Sequence, residues 1–420
     1  MMKHLKSILC LALIFALALQ LGGCAGGTPE APVAAKVIDL MAEISPAKPE
    51  AAPVKPEAAE AATDFSLRLF KAGRQAGENT LISPISVLSA LAMTANGAKG
   101  ETLAQMEQVL GMDREALNGF FRTWLEALAK DPALKAANSV WFTQDQRFTV
   151  NRDFLQTNAD YYGADVYQAP FDNSTLAAIN DWVKEKTDGM IPEILDQIPP
   201  DVVMYLVNAL AFDAKWEVPY EKASVQSGNF LPENGEKVLV DFMQSEEHLY
   251  LEDDKAVGFL KPYEGGKYAF MALLPKEGVS LADYADSLDG AAFRALLAGQ
   301  SQETVLTALP KFETGWNGEL SELLRQLGMG LAFDLEAADF SGLGSSAGGN
   351  IGISRVLHKT FISVAEEGTR AGAATVVEMD TKGVLVEAPK YVTLDRPFLY
   401  ALVDLENGIP LFIGSMMNPA

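Results

Sequence analysis

Residues 203–212 read Val-Met-Tyr-Leu-Val-Asn-Ala-Leu-Ala-Phe, with Asn208 as the single amide in an otherwise apolar run. A strand with one wet face alternates apolar and polar side chains, and this one does not. It must be a central strand covered on both faces, in a sheet with further layers on either side. That requirement sets the scale of the fold. Asn138-Ser-Val-Trp-Phe142 is a second β-rich stretch, and residues 268–274, 304–312, 356–365, 392–394, 398–403 and 411–415 are further strand candidates. Helical patterning comes earlier. Asp64 stands as an N-cap before an apolar face of Phe65, Leu67, Leu69 and Phe70. Asn79-Thr-Leu-Ile-Ser-Pro-Ile-Ser begins as a strand and turns into a helix at Ser83-Pro84, with Ser83 as cap and Pro84 in the first turn. Residues 176–198 read as a helix interrupted at Gly189 and Pro192. Helices dominate early and strands late, an α+β pattern. There is no internal repeat and no second linker, which predicts one large domain.

Composition removes several functions. The chain has 420 residues, 33 Lys+Arg against 56 Asp+Glu, and a formal net charge of −23. Such a surface repels a phosphate backbone and an anionic membrane alike, so no nucleic-acid partner is expected. Three His and two Cys rule out a disulfide framework or a Cys-rich zinc site, and no cofactor or metal is expected.

Residues 1–23 carry an address. Lys3 and Lys6 precede an apolar run from Ile8 to Leu19, and Leu21-Gly22-Gly23-Cys24 follows. The layout resembles a bacterial lipobox, which implies cleavage before Cys24 and acylation of its thiol. The expected location is the cell surface or envelope, outside the cytoplasm, with a lipid membrane as one partner. A plain signal peptide and an N-terminal anchor helix are the alternatives. Residues 25–63 hold 12 Ala and 6 Pro with repeated Lys-Pro-Glu units, and predict an extended tether over 24–63 with the folded domain over 64–420. The apolar stretch at 37–41 reads as a local cluster within it.

Two motifs have a chemical look. Gly344-Ser-Ser346-Ala-Gly348 fits a hydrolase nucleophile pattern, but its flanks lack the strand-to-helix elbow and predict a flexible loop. Glu246-Glu-His248 with Glu252-Asp-Asp254 lacks the glycine of a calcium loop and reads as a solvated acidic hairpin.

Residues 366–382 resist an ordinary reading. Thr369, Ala371, Ala373, Thr375, Val377 and Met379 form one alternating set; Arg370, Gly372, Ala374, Val376, Glu378 and Asp380 form the other, which holds every charge. This is the pattern of a strand with one face to a tight core and one to solvent. Its Gly/Ala-rich first half is nevertheless a poor strand by propensity. The segment is able to be a strand without being committed to it. A surface loop or a frayed helix is the plainer alternative.

Several segments, in order, resemble the serpin family of suicide-substrate protease inhibitors: Asn79-Thr-Leu-Ile-Ser-Pro-Ile-Ser, Leu206-Val-Asn-Ala-Leu-Ala-Phe-Asp-Ala-Lys-Trp-Glu217, Leu309-Pro-Lys-Phe312, Asp339-Phe-Ser-Gly342, His358-Lys359, Glu366-Glu-Gly-Thr369, Arg396-Pro-Phe-Leu399 and Pro410-Leu-Phe-Ile-Gly414. The resemblance spans residues 64–420. It implies a single domain of about three β-sheets and eight or nine helices, with an exposed reactive loop near the C-terminus. It implies a monomer that is not an enzyme and whose partner is a serine endopeptidase, with cysteine endopeptidases as the alternative, held covalently. A non-inhibitory surface binding protein of the same fold is the alternative. The family's spacing places the cut bond at Lys382-Gly383, with Met379-Asp380 and Thr381-Lys382 as alternatives, and a Lys there suits a trypsin-like target. The reactive-loop hinge would be Glu366, Glu367, Gly368, Thr369, Arg370, Ala371, Gly372, Ala373 and Ala374. Arg370 departs from the family's usual acidic or small residue but belongs to the outward set. Ser83, Ser86, Asn208 and His358 would form the polar cluster where the main sheet opens. Trp216 would stand at the loop's entry, with Lys311 and Glu366 close enough to pair.

Overall fold

The computed structural model describes residues 37–47, 49–144, 148–199, 202–347, 350–369 and 388–420. The expected signal segment, Cys24 and the first part of the expected tether lie outside them. So do Arg370, Ala371, Gly372, Ala373, Ala374, Lys382 and Gly383.

Among the described residues there are nine α-helices and three sheets, of eight, nine and two strands. The 203–212 run forms the strand Met204–Phe212, buried at every position. Its alternation explains why both faces are apolar. Leu206, Leu210 and Phe212 enter the main core, while Tyr205, Val207 and Ala209 enter a second cluster on the opposite face. That second face is covered by Ile179, Trp182 and Val183 of the helix Asn173–Lys186 and by Ile191, Ile194 and Leu195 beyond it. The main core fills the space between this sheet and the nine-stranded one, which supplies Phe270, Tyr400 and Leu402. The helix Pro84–Ala95 lies in that space with all of its residues buried. Its Ser and Ala positions are small enough to let a helix sit that deep.

The eight-stranded sheet runs in the order Ile38–Asp39, Asp165–Ala169, Leu134–Thr143, Met204–Phe212 and Arg355–Ala365, with Phe312–Glu319 paired along the far side of the last. One junction is incomplete. Met204–Phe212 and Arg355–Ala365 are in parallel register only from Arg355↔Tyr205 to Leu357↔Val207. At the opposite end the short strand Gly368–Thr369 turns back from Val364–Ala365 and joins them to Ala214–Lys215. Between these two ends, no ladder partner for residues 358–363 on the side facing Met204–Phe212 is found among the described residues. A small cavity lined by Met190, Ile191, Leu210–Phe212 and Phe361–Ser363 shows that the segment after the Asn173–Lys186 helix lies across both lips of this gap.

Four expectations are corrected. The first helix begins at Pro56, with Pro at its first turn, and runs to Gly73; Asp64 is inside it and pairs with Arg68. Residues 37–55 are not free spacer. Ile38–Asp39 adds an antiparallel edge strand to Asp165–Ala169, and Arg122 Nε and Gln156 Nε2 donate to Pro49 O and Ser45 O. The helix expected over 176–198 ends at Lys186, because Asp188 and Gly189 both take positive φ and turn the chain. Gly344–Ser346 is likewise no loop, since it pairs antiparallel with Phe148–Val150.

Candidate functional site: a split sheet and its hinge

The polar residues expected at the opening divide between its two lips. On the Met204–Phe212 side, Asn208 accepts from Ser86 Oγ and donates to Asn138 Oδ1. On the Arg355–Ala365 side, His358 Nε2 accepts from Ser83 N–H at 3.0 Å, and Thr360 Oγ1 donates to Leu81 O at 2.7 Å. Ser83 does not cap its helix through its hydroxyl, which donates to Leu411 O at 2.8 Å. The start of one buried helix therefore holds both lips from below. His358 is 2% exposed, and burial pushes its pKa down to about 3, so its ring is neutral and its Nε2 is free to accept. It is a structural acceptor rather than a base.

At the other end of the gap, Glu366 and Glu367 form the turn between Ala365 and Gly368. Trp216 N–H donates to Glu367 O at 3.0 Å, Trp216 Nε1 to Ala365 O at 2.8 Å, and Tyr220 N–H to Glu366 O at 2.8 Å. Lys311 Nζ donates to Glu366 Oε1 at 2.8 Å. Burial alone would raise the Glu366 carboxyl, but the hydrogen bond and charge of Lys311 outweigh it and hold the group below the ordinary carboxylate value. Thr369 is 1% exposed, and its hydroxyl meets the Tyr263 hydroxyl at 2.6 Å. Tyr263 stacks on Trp216 with centroids 4.5 Å apart. The sequence pattern placed Thr369 on the core-facing set of a strand. The structure has Gly368 and Thr369 in the sheet, between Val364–Ala365 and Ala214–Lys215.

Glu366, Glu367, Gly368, Thr369, Trp216 and Lys311 thus lie together at one end of the gap, and Ser83, Ser86, Asn208 and His358 lie beneath it. Sequence reasoning missed Asn138, Tyr263 and Thr360. A signal existed for the first, since Asn138 and Asn208 are isolated amides in two apolar strands and stand in register. Ser346 lies on its two-stranded ribbon, and His358 is committed to Ser83.

Residues 60–419 match the family model "Serpin (serine protease inhibitor)". A serpin-like protein of Thermococcus kodakarensis is 33% identical over 370 residues, covering 86% of this chain and 85% of the relative. The native-state structure of the thermophilic serpin tengpin is 45% identical, with a TM-score of 0.87, covering 92% of this chain and all of that one. The same protein in its latent state aligns with a TM-score of 0.77 over 87% of this chain and 99% of that one, at 46% identity. The fold, its three sheets and the split main sheet define an α+β domain of the protease-inhibitor superfamily. The chain belongs to the serpin family.

Proposed function

We propose that this protein is a suicide-substrate inhibitor of serine endopeptidases, exported and held at the cell envelope through an acylated Cys24. The target's serine attacks the Lys382 carbonyl, the Gly383 amine leaves, and an ester joins Lys382 to the enzyme. Residues 370–382 then enter the gap between Met204–Phe212 and Arg355–Ala365 and carry the acyl-enzyme away before water resolves it. Thr369, Ala371 and Ala373 would face the core during entry, where small side chains pass most easily. The acidic S1 group of a trypsin-like enzyme suits Lys382.

The observation that supports this reading most directly is the half-paired junction, closed at one end by Arg355–Leu357 and at the other by Gly368–Thr369. The described hinge residues stand at one end of that junction. Incubation with trypsin tests the reading. A heat- and detergent-stable adduct with one new N-terminus at Gly383 is expected; cleavage without an adduct would point instead to a surface binding protein. Mass spectrometry of the chain purified from its own cells is expected to show a diacylglyceryl or acylated Cys24 as the first residue.

A further inference from the structure

One buried ion pair lies behind the hinge. Lys261 Nζ donates to Glu247 Oε1 at 2.6 Å, and the two side chains are 2% and 8% exposed. No other ion pair among the described residues has both partners so covered. Glu247 Oε1 also accepts from Ser245 Oγ at 2.6 Å, and Ser245 meets Thr307 at 2.9 Å. Lys261 meanwhile lies 4.2 Å from the centroid of Tyr220 and 5.6 Å from that of Trp216. A desolvated ammonium is drawn to aromatic faces more strongly than an exposed one. Burying such a pair generally gains less stability than apolar side chains of similar volume would, so its presence calls for another role.

That role is visible in what the rings are attached to. Tyr220 and Trp216 are the residues whose backbone N–H groups donate to Glu366 O and Glu367 O. The two hinge carbonyls, the two aromatic residues, the lysine and its carboxylate therefore form one connected set. We propose that Lys261 is a positioning residue for the hinge: anchored by Glu247, it fixes the 216–220 segment, holds the Glu366–Glu367 turn at the mouth of the gap, and thereby sets how fast the loop enters. This rests on the inhibitory reading above.

The test uses the full chain and three variants: Lys261→Met, Lys261→Arg, and Lys261→Met combined with Glu247→Leu. The double variant removes both charges at similar volume and guards against a misfolded single variant. Amide hydrogen exchange at Trp216 and Tyr220 is expected to quicken by roughly an order of magnitude in Lys261→Met and in the double variant, with the Tyr268–Pro275 strand unchanged. With trypsin, the rate of loop cleavage should stay near that of the wild type. The amount of inhibitor consumed per trapped enzyme should rise several-fold, and Lys261→Arg should restore it in part. Wild-type exchange and partition in the double variant would overturn the inference. A wild type that is cleaved without any adduct would instead sink the inhibitory reading and the claim about trapping, while the exchange result still decides whether Lys261 holds the turn.

Discussion

At the scale of single residues, the hinge and the lips of the gap answer to different chemistry. His358 is held neutral because it accepts from Ser83 N–H in a dry site, with its pKa pushed down to about 3. The unfolded chain takes up that proton near pH 6.5. Since the folded value is the lower one, the unfolded state binds more protons between these limits, and stability falls as the solution is acidified. The contribution is complete above pH 6.5 and declines from there toward pH 3. At pH 5 it amounts to a loss of about 2 kcal/mol. Denaturant unfolding at pH 7.5 and pH 5 should show this difference, and His358→Phe should remove most of the slope in that window. An unchanged slope in the variant would place the titrating group elsewhere. Gly368 answers to space. A Cβ there would stand 2.2 Å from Ala214 O and 2.7 Å from Lys215 Cα, both backbone atoms that cannot yield cheaply. Gly368→Val should therefore expel the Gly368–Thr369 strand, break the Thr369–Tyr263 hydrogen bond and cost about 1–3 kcal/mol. Thermal unfolding measures the cost, and a changed Trp216 emission reports the expulsion; an unaltered spectrum would contradict it.

At the scale of elements, strands that are apolar throughout were legible and segments whose partners are distant were not. The 203–212 run could only be a covered strand, and it is. The strands Tyr268–Pro275 and Phe398–Asp404 follow from the same logic, each feeding one core on alternate residues and another on the rest. Glu247 was hidden inside an acidic run that reads as solvated, because nothing local reveals that Lys261 lies against it across the sheet. The hinge was legible as an undecided strand, but not the depth to which Thr369 is already inserted, since that is set by Tyr263 more than a hundred residues away in sequence. The Ala/Pro-rich stretch was the clearest misreading. Its composition is that of a spacer, yet Leu40, Met41, Ile44 and Val54 pack against the main core and Ile38–Asp39 covers the edge of the main sheet. A chain beginning at Lys55 would bare that edge and those apolar contacts. It should unfold with a loss of about 3 kcal/mol and associate at lower concentrations than the longer chain does, because an open strand edge invites pairing. Light scattering and thermal unfolding of the two lengths would check this, and equal behaviour of both would show that the docked segment contributes nothing.

At the scale of the whole molecule, the split sheet leaves room for a form with more ladder bonds than the described residues make. Among the described residues, 358–363 on one lip and the stretch of Met204–Phe212 beyond Val207 on the other lack partners across the gap. Strand alternation gives each lip a carbonyl and an amide on every second residue, so one inserted strand would gain about ten ladder bonds at roughly 0.5–1.5 kcal/mol apiece. It would also bury the small core-facing set that begins at Thr369. Opposing this, entry would require the Met190–Ile191 crossing to yield and the Glu366–Glu367 turn to extend, and on the proposed inhibitory reading the native state is a trapped one whose lifetime is a rate rather than an equilibrium. On that reading, cutting the loop at Lys382–Gly383 would separate its N-terminal side from the strand Lys390–Thr393 and remove the restraint. The cleaved chain, with both fragments retained, should then unfold at a distinctly higher temperature than the intact one, with a gain on the order of 5–10 kcal/mol. A lone nick in an exposed loop of a fold already at its minimum would leave the melting temperature where it was or lower it, and that outcome would mean the gap stores nothing.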